Sequence, residues 1–112
     1  MSKHFVFIFR QGGRTLTEEE QESRTREVRA WAIRQQQSEH NLEPRVLGDE
    51  RELVGNDATA APGDRPVIAF NFIDAQDLPD AVELARTHPG LRYGVTIEVR
   101  EWTDPRAASA VR

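Results

Sequence analysis

Two short runs, HFVFIFR at residues 4–10 and PVIAFNFI at 66–73, are apolar at odd and even positions alike. Neither can span a bilayer, and both are rich in aromatic and branched side chains, so each reads as a β-strand with two apolar faces. In the first, Phe5, Phe7 and Phe9 point one way while Val6 and Ile8 point the other. Such strands need cover on both sides, which puts them at the centre of a sheet. Asn71 is the polar exception in the second run, and a polar side chain there needs a partner.

The remaining elements follow from caps and periodicity. Thr17-Glu18-Glu19-Glu20 has the spacing of a capping box, which starts a helix at Glu18. That helix carries Val28, Trp31, Ala32 and Gln35 on one stripe with Ile33 beside it, and runs to about Gln37. Glu20/Arg24 and Glu22/Arg26 have the spacing of i,i+4 ion pairs. Arg45-Val46-Leu47 and Glu52-Leu53-Val54 read as a weak or bent second strand. Asp77 caps a second helix that tolerates Pro79 in its first turn, buries Leu78, Ala81, Val82 and Ala85 with Leu84 beside them, and stops at His88-Pro89-Gly90. From Leu91 to Arg100 apolar and polar residues alternate, the period of a last strand with one buried face. The order β-α-β-β-α-β is that of an α+β, ferredoxin-like unit with both helices on one face of an antiparallel sheet. The other face stays apolar on the first and third strands, so a homodimer packed sheet against sheet is expected.

Size and composition narrow the options. A chain of 112 residues builds one core and not two, giving a single domain over residues 1–102 with a mobile connection at 55–65 and a loose tail at 103–112. Against 15 basic residues stand 19 acidic ones, a net charge of −4 spread along the chain, which disfavours nucleic acid. No cysteine is present, so disulfides, thiol nucleophiles and thiolate metal sites are excluded, and a cytoplasmic location fits. The apolar stretch at 5–9 is too short for a signal-peptide core or a membrane span, so no membrane partner is expected.

HFVFIFR, the LTEEEQ that opens a helix containing RAWAI, and DAQDLPDAVELARTHPGLRYGVTIEVREW together resemble the YCII-related superfamily, closest to its DGPF-like branch. The likeness covers most of residues 4–102 and is most specific in D-L-P-D-A-V-E-L-A-x-x-H-P and the following V-x-I-E-V-R. It implies a dimeric α+β barrel. Lyase-like members pair a histidine on the first helix with an aspartate at the end of the second, and DGPF-type proteins often accompany extracytoplasmic-function sigma factors. The chain departs from this pattern. Pro62-Gly63-Asp64-Arg65-Pro66 stands in place of Asp-Gly-Pro-Phe, residues 18–37 contain no histidine, and His88 occupies the aspartate position. A conventional enzyme is therefore not expected; any chemistry would be weak acid/base work of a lyase or hydrolase kind.

Four residues stand out as candidates for ligand binding: Arg10, Trp31, Asn71 and His88. His88 is also the one catalytic candidate, because an imidazole titrates near neutrality, while its plainer role is to complement a helix C-terminus. Arg10 and Asn71 interrupt apolar strands and could orient a ligand; Trp31 reads first as a core anchor that could also line the pocket. Thr96 and Glu98 are polar on the last strand. His4, His40 and His88 are far apart with no metal-ligand spacing, and Gly12-Gly13 lacks a phosphate-loop pattern, so neither a metal nor a cofactor is expected. Two functions remain open: a small dimeric barrel that binds a small, mostly apolar molecule, or a non-enzymatic dimeric interaction or regulatory module.

Overall fold

Phe5, Phe7 and Phe9 fill the helix side of the central strand in the computed structural model, which describes residues 2–55 and 65–106. The elements are β1 (Lys3–Arg10), α1 (Glu18–Gln36), β2 (Glu43–Val46), β3 (Val67–Ala75), α2 (Leu78–Arg86), a 3-10 turn (Pro89–Tyr93) and β4 (Thr96–Glu101). The strands lie in the order β2-β3-β1-β4 with every neighbouring pair antiparallel. The chain is thus a small α+β domain of four strands and two helices. The connection at 56–64 and the tail at 107–112 fall outside the described residues.

The expected dimeric α+β barrel is corrected by this topology, because the sheet is open. β2 pairs only with β3 and β4 only with β1, leaving two sheet edges among the described residues. Closure needs each strand hydrogen-bonded on both sides. β2 has four residues, all exposed, and offers no second ladder.

Register divides the sheet into two faces. Phe5, Phe7 and Phe9 align with Ile73, Asn71 and Ala69 of β3, and together with Trp31, Ala81, Leu84, Ala85 and Val95 these positions form the core on the helix side. Asn71 is the one polar member of that row. Val6 and Ile8 align with Phe72 and Phe70 on the opposite face, beside Trp102, which stacks on His4 and meets Phe72 edge-on. No helix covers this side among the described residues.

The helix starts follow the sequence signals. Thr17 Oγ1 accepts from the Glu20 N–H and the Glu20 carboxylate accepts from the Thr17 N–H, each at 3.1 Å. Asp77 Oδ1 accepts from the Asp80 N–H at 2.9 Å. The expected ion pairs on α1 do not form: Glu20 receives Arg14 at 2.7 Å, and Arg26 donates to Ser23. The Arg14 hydrogen bond, and then the Thr17 N–H, hold the Glu20 carboxyl below its usual range. Arg24 is left without a carboxylate partner among the described residues.

Three other expectations change. Leu78 is half exposed and Val82 only partly buried, so the buried stripe of α2 is Ala81, Leu84 and Ala85. Residues 52–54 are not strand, and Val54 is exposed. The alternating stretch from Leu91 is not one strand: His88 caps the 3-10 turn, Pro89 opens it, and Gly94 closes it at φ 91° before β4 begins. Gly94 sits against the loop after β1, where a Cβ on Gly12 would lie 2.6 Å from the Gly94 carbonyl oxygen. Two glycines therefore let that loop and the turn touch backbone to backbone.

α1 is held mainly from one side. Glu27 receives both Arg92 and Tyr93 from the 3-10 turn, and Trp31 Nε1 donates to Thr87 Oγ1 at 2.8 Å at the end of α2. The helix thus rests on the α2–turn corner, and its other flank faces β2 and β3 across a gap.

A candidate ligand-binding cleft

That gap is an open cleft of about 2000 Å³. Thr25, Val28, Ala32 and Gln36 of α1 line one wall, at the spacing of a single helix face. Residues 44–51, 53 and 54 line the other, the sheet positions Phe9, Ala69 and Asn71 contribute to the floor, and His88, Gly90 and Val95 close one end. The space exceeds the several hundred cubic ångströms a small-molecule site needs.

Asn71 sits mid-strand on this floor, between Phe7 of β1 and Pro44 of β2 in the register. It is 5% exposed, and its Oδ1 is buried without a hydrogen-bond partner among the described residues. Turning the amide over would leave a nitrogen in the same position, equally unpaired. The expectation that a polar side chain here needs a partner therefore meets a vacancy on the protein side. Buried polar groups are rarely left this way, because the omission costs about 1–3 kcal/mol.

His88 is 8% exposed and wedged between two rings, 4.9 Å from Phe9 and 4.7 Å from Trp31, centroid to centroid. Its Nδ1 accepts from the Gly90 N–H at 3.0 Å, which leaves the proton of the neutral ring on Nε2. Burial pushes its pKa down to about 4. The ring is neutral at pH 7, so it does not complement the α2 dipole as a cation, and no carboxylate pairs with it among the described residues. A proton donor at Nε2 is what remains for a ligand.

Trp31 is a core anchor that also borders the cleft: it is 1% exposed, with its indole N–H committed to Thr87. Arg10 lies at the rim, but its guanidinium reaches Glu98 at 3.4 Å and the Arg65 carbonyl at 3.4 Å. Glu98 stands opposite Ile8, so this pair lies on the helix-free face. Thr96 also borders the cleft. The structure thus brings Trp31 and His88 into contact and lines the same cleft with both and with Asn71, Arg10 standing at the margin. Inspection of the sequence did not single out Arg24, Arg29, Arg45 and Arg51, which line the same cleft. Their signal was available for α1 alone, where Arg24 and Arg29 flank the Thr25-Val28-Ala32 face.

The other histidines belong elsewhere. His4 Nδ1 lies 2.7 Å from Asp74, whose carboxyl Asn41, and then His4, hold below its usual range. His40 faces Asp80 at 3.5 Å. No group of three or more potential metal-ligating side chains occurs among the described residues, and no helix among them is long and apolar enough to cross a membrane. No protein-family model matches the chain, and no curated protein matches it, so the resemblance to the YCII-related superfamily rests on the quoted residues alone.

Proposed function

We propose that the protein binds a small, mostly apolar molecule in the cleft between α1 and the β2–β3 edge. The carrying observation is the orphaned Asn71 Oδ1, buried in the floor of a cleft that a neutral imidazole with a free Nε2–H also lines. A ligand with a hydroxyl or amide group would pair with both and relieve the desolvation cost of Asn71. Catalysis is not part of the proposal, because His88 has no acidic partner among the described residues and is a weak base at its depressed pKa.

Asn71→Leu tests this, since leucine keeps the branch at Cγ and removes the polar group. If the amide is kept for a ligand, the variant is more stable by about 1 kcal/mol in denaturant unfolding and loses binding. A variant destabilised as though an internal hydrogen bond had been lost sinks the proposal. Native mass spectrometry of freshly purified wild type and variant reads retained ligand directly: extra mass on the wild type only supports the cleft.

A second reading, a non-enzymatic interaction module, draws on the bare sheet face. Ile8, Phe70 and Phe72 form its apolar centre beside Trp102, and charges of both signs flank them at Glu43, Arg45, Glu98 and Arg100. A mixed rim suits a second copy related by a two-fold axis, each sheet remaining open. The same spectra would carry a species at twice the 12.8 kDa chain mass; a monomer at micromolar concentration removes this reading.

A further inference from the structure

Charge is unevenly distributed around the cleft. Arg24, Arg29, Arg51 and Arg65 line it, against Asp49 and Glu50, although the chain as a whole carries a net charge of −4; Arg10 and Arg45 border it too, but their register places their side chains on the helix-free face. Elsewhere most arginines are neutralised locally, Arg14 by Glu20, Arg86 by Glu83, Arg92 by Glu27, Arg100 by Glu98 and Arg106 by Asp104, while Arg26 and Arg34 form no ion pair among the described residues. Around the cleft only Arg10 has a carboxylate, from Glu98. Arg24, Arg29, Arg45, Arg51 and Arg65 form no ion pair among the described residues. On α1 this follows from the capping arrangement, because Arg14 takes the Glu20 carboxylate that the helix spacing offers to Arg24.

We infer that the ligand of this cleft is an amphipathic anion, an apolar ring-sized body bearing one oxyanion head, oriented with the head at the arginine rim and the body toward Asn71 and His88. This rests on the proposed binding function and adds the ligand's charge and direction. An ionised head does not belong at the deep end, where the available groups are an amide and a neutral imidazole and the walls are aromatic. Desolvating a carboxylate there would cost far more than two neutral hydrogen bonds return. At the rim the same head keeps part of its hydration and meets guanidinium groups, whose planar fork suits carboxylates and sulfonates. The apolar lining also separates this site from a polyanion surface: Val28, Ala32 and Leu42 line the same cleft. A nucleic-acid backbone has no use for a buried amide among them.

Two probes with one skeleton make the test: 8-anilinonaphthalene-1-sulfonate and its uncharged counterpart N-phenyl-1-naphthylamine. Each is titrated by fluorescence into wild type, Asn71→Leu and the double variant Arg24→Gln/Arg29→Gln, with melting temperature followed to establish that the native state is the binder. Glutamine keeps helix propensity, so α1 persists in the double variant. The expected result is that the sulfonate binds wild type about tenfold more tightly at low salt. That advantage disappears at about 0.5 M sodium chloride. It also disappears in the double variant, whose affinity for the uncharged probe is unchanged. Equal affinity for the two probes, or an advantage that survives the arginine substitutions, overturns the anion inference while leaving the cleft in place, provided Asn71→Leu still weakens the uncharged probe. If neither probe raises the melting temperature, the binding reading fails and the inference goes with it.

Discussion

His88 makes the fold sensitive to acid in a definite window. Its pKa is about 4 in the folded chain because of burial, against an ordinary value near 6.5. Between those values the unfolded chain binds the proton and the folded chain does not, so stability is fully present above about pH 6.5 and is lost as pH falls toward 4. His88→Gln should flatten that part of the urea-denaturation profile, with a wild-type loss of about 2–3 kcal/mol across the window. An unchanged slope would show the imidazole to be protonated while folded. At this scale the sequence was informative about rarity and silent about pairing. Asn71 and His88 were visible because a polar residue in an apolar strand and an imidazole beside a helix stop are both unusual. Arg24 was not, because whether it pairs with Glu20 depends on where the loop before α1 brings Arg14.

Each element that carries a local code matches its sequence signal: the capping box at Thr17, the Asp77 cap, and the odd–even rows of β1 and β3. The misreadings lie where two codes overlap. Leu91 to Arg100 alternates like a strand, yet the Pro89 ring and Gly94 set a 3-10 turn over its first part, and turn chemistry overrides periodicity. The 52–54 piece has strand composition but no pairing neighbour. The contact between the loop after β1 and this turn gives a prediction at the same scale. Gly12→Ala drives a methyl into the Gly94 carbonyl and should destabilise the fold by about 2 kcal/mol, whereas Gly48→Ala, with open space around it, should be close to neutral in the same unfolding assay.

For the molecule as a whole, the element order and the antiparallel sheet were legible, while closure was not. A barrel was implied by resemblance, and four strands with a short β2 leave the sheet open. The cleft was equally hidden, since it arises from α1 resting on the α2–turn corner through Glu27 and Trp31 rather than lying flat on the strands. That one-sided attachment makes α1 a lever. Its fulcrum is the 27–31 turn, its long arm is the solvated segment from Glu18, and an occupant of the cleft would clamp the arm from the other side. Backbone amides at 21–26 should therefore exchange with deuterium faster than those of β1, and a bound oxyanion should slow them selectively while the sheet amides stay as they are. Equal protection along α1 and β1 without ligand would show the arm to be fixed already. In that case the gap beneath it has a constant width, and guests are selected by size rather than admitted by movement.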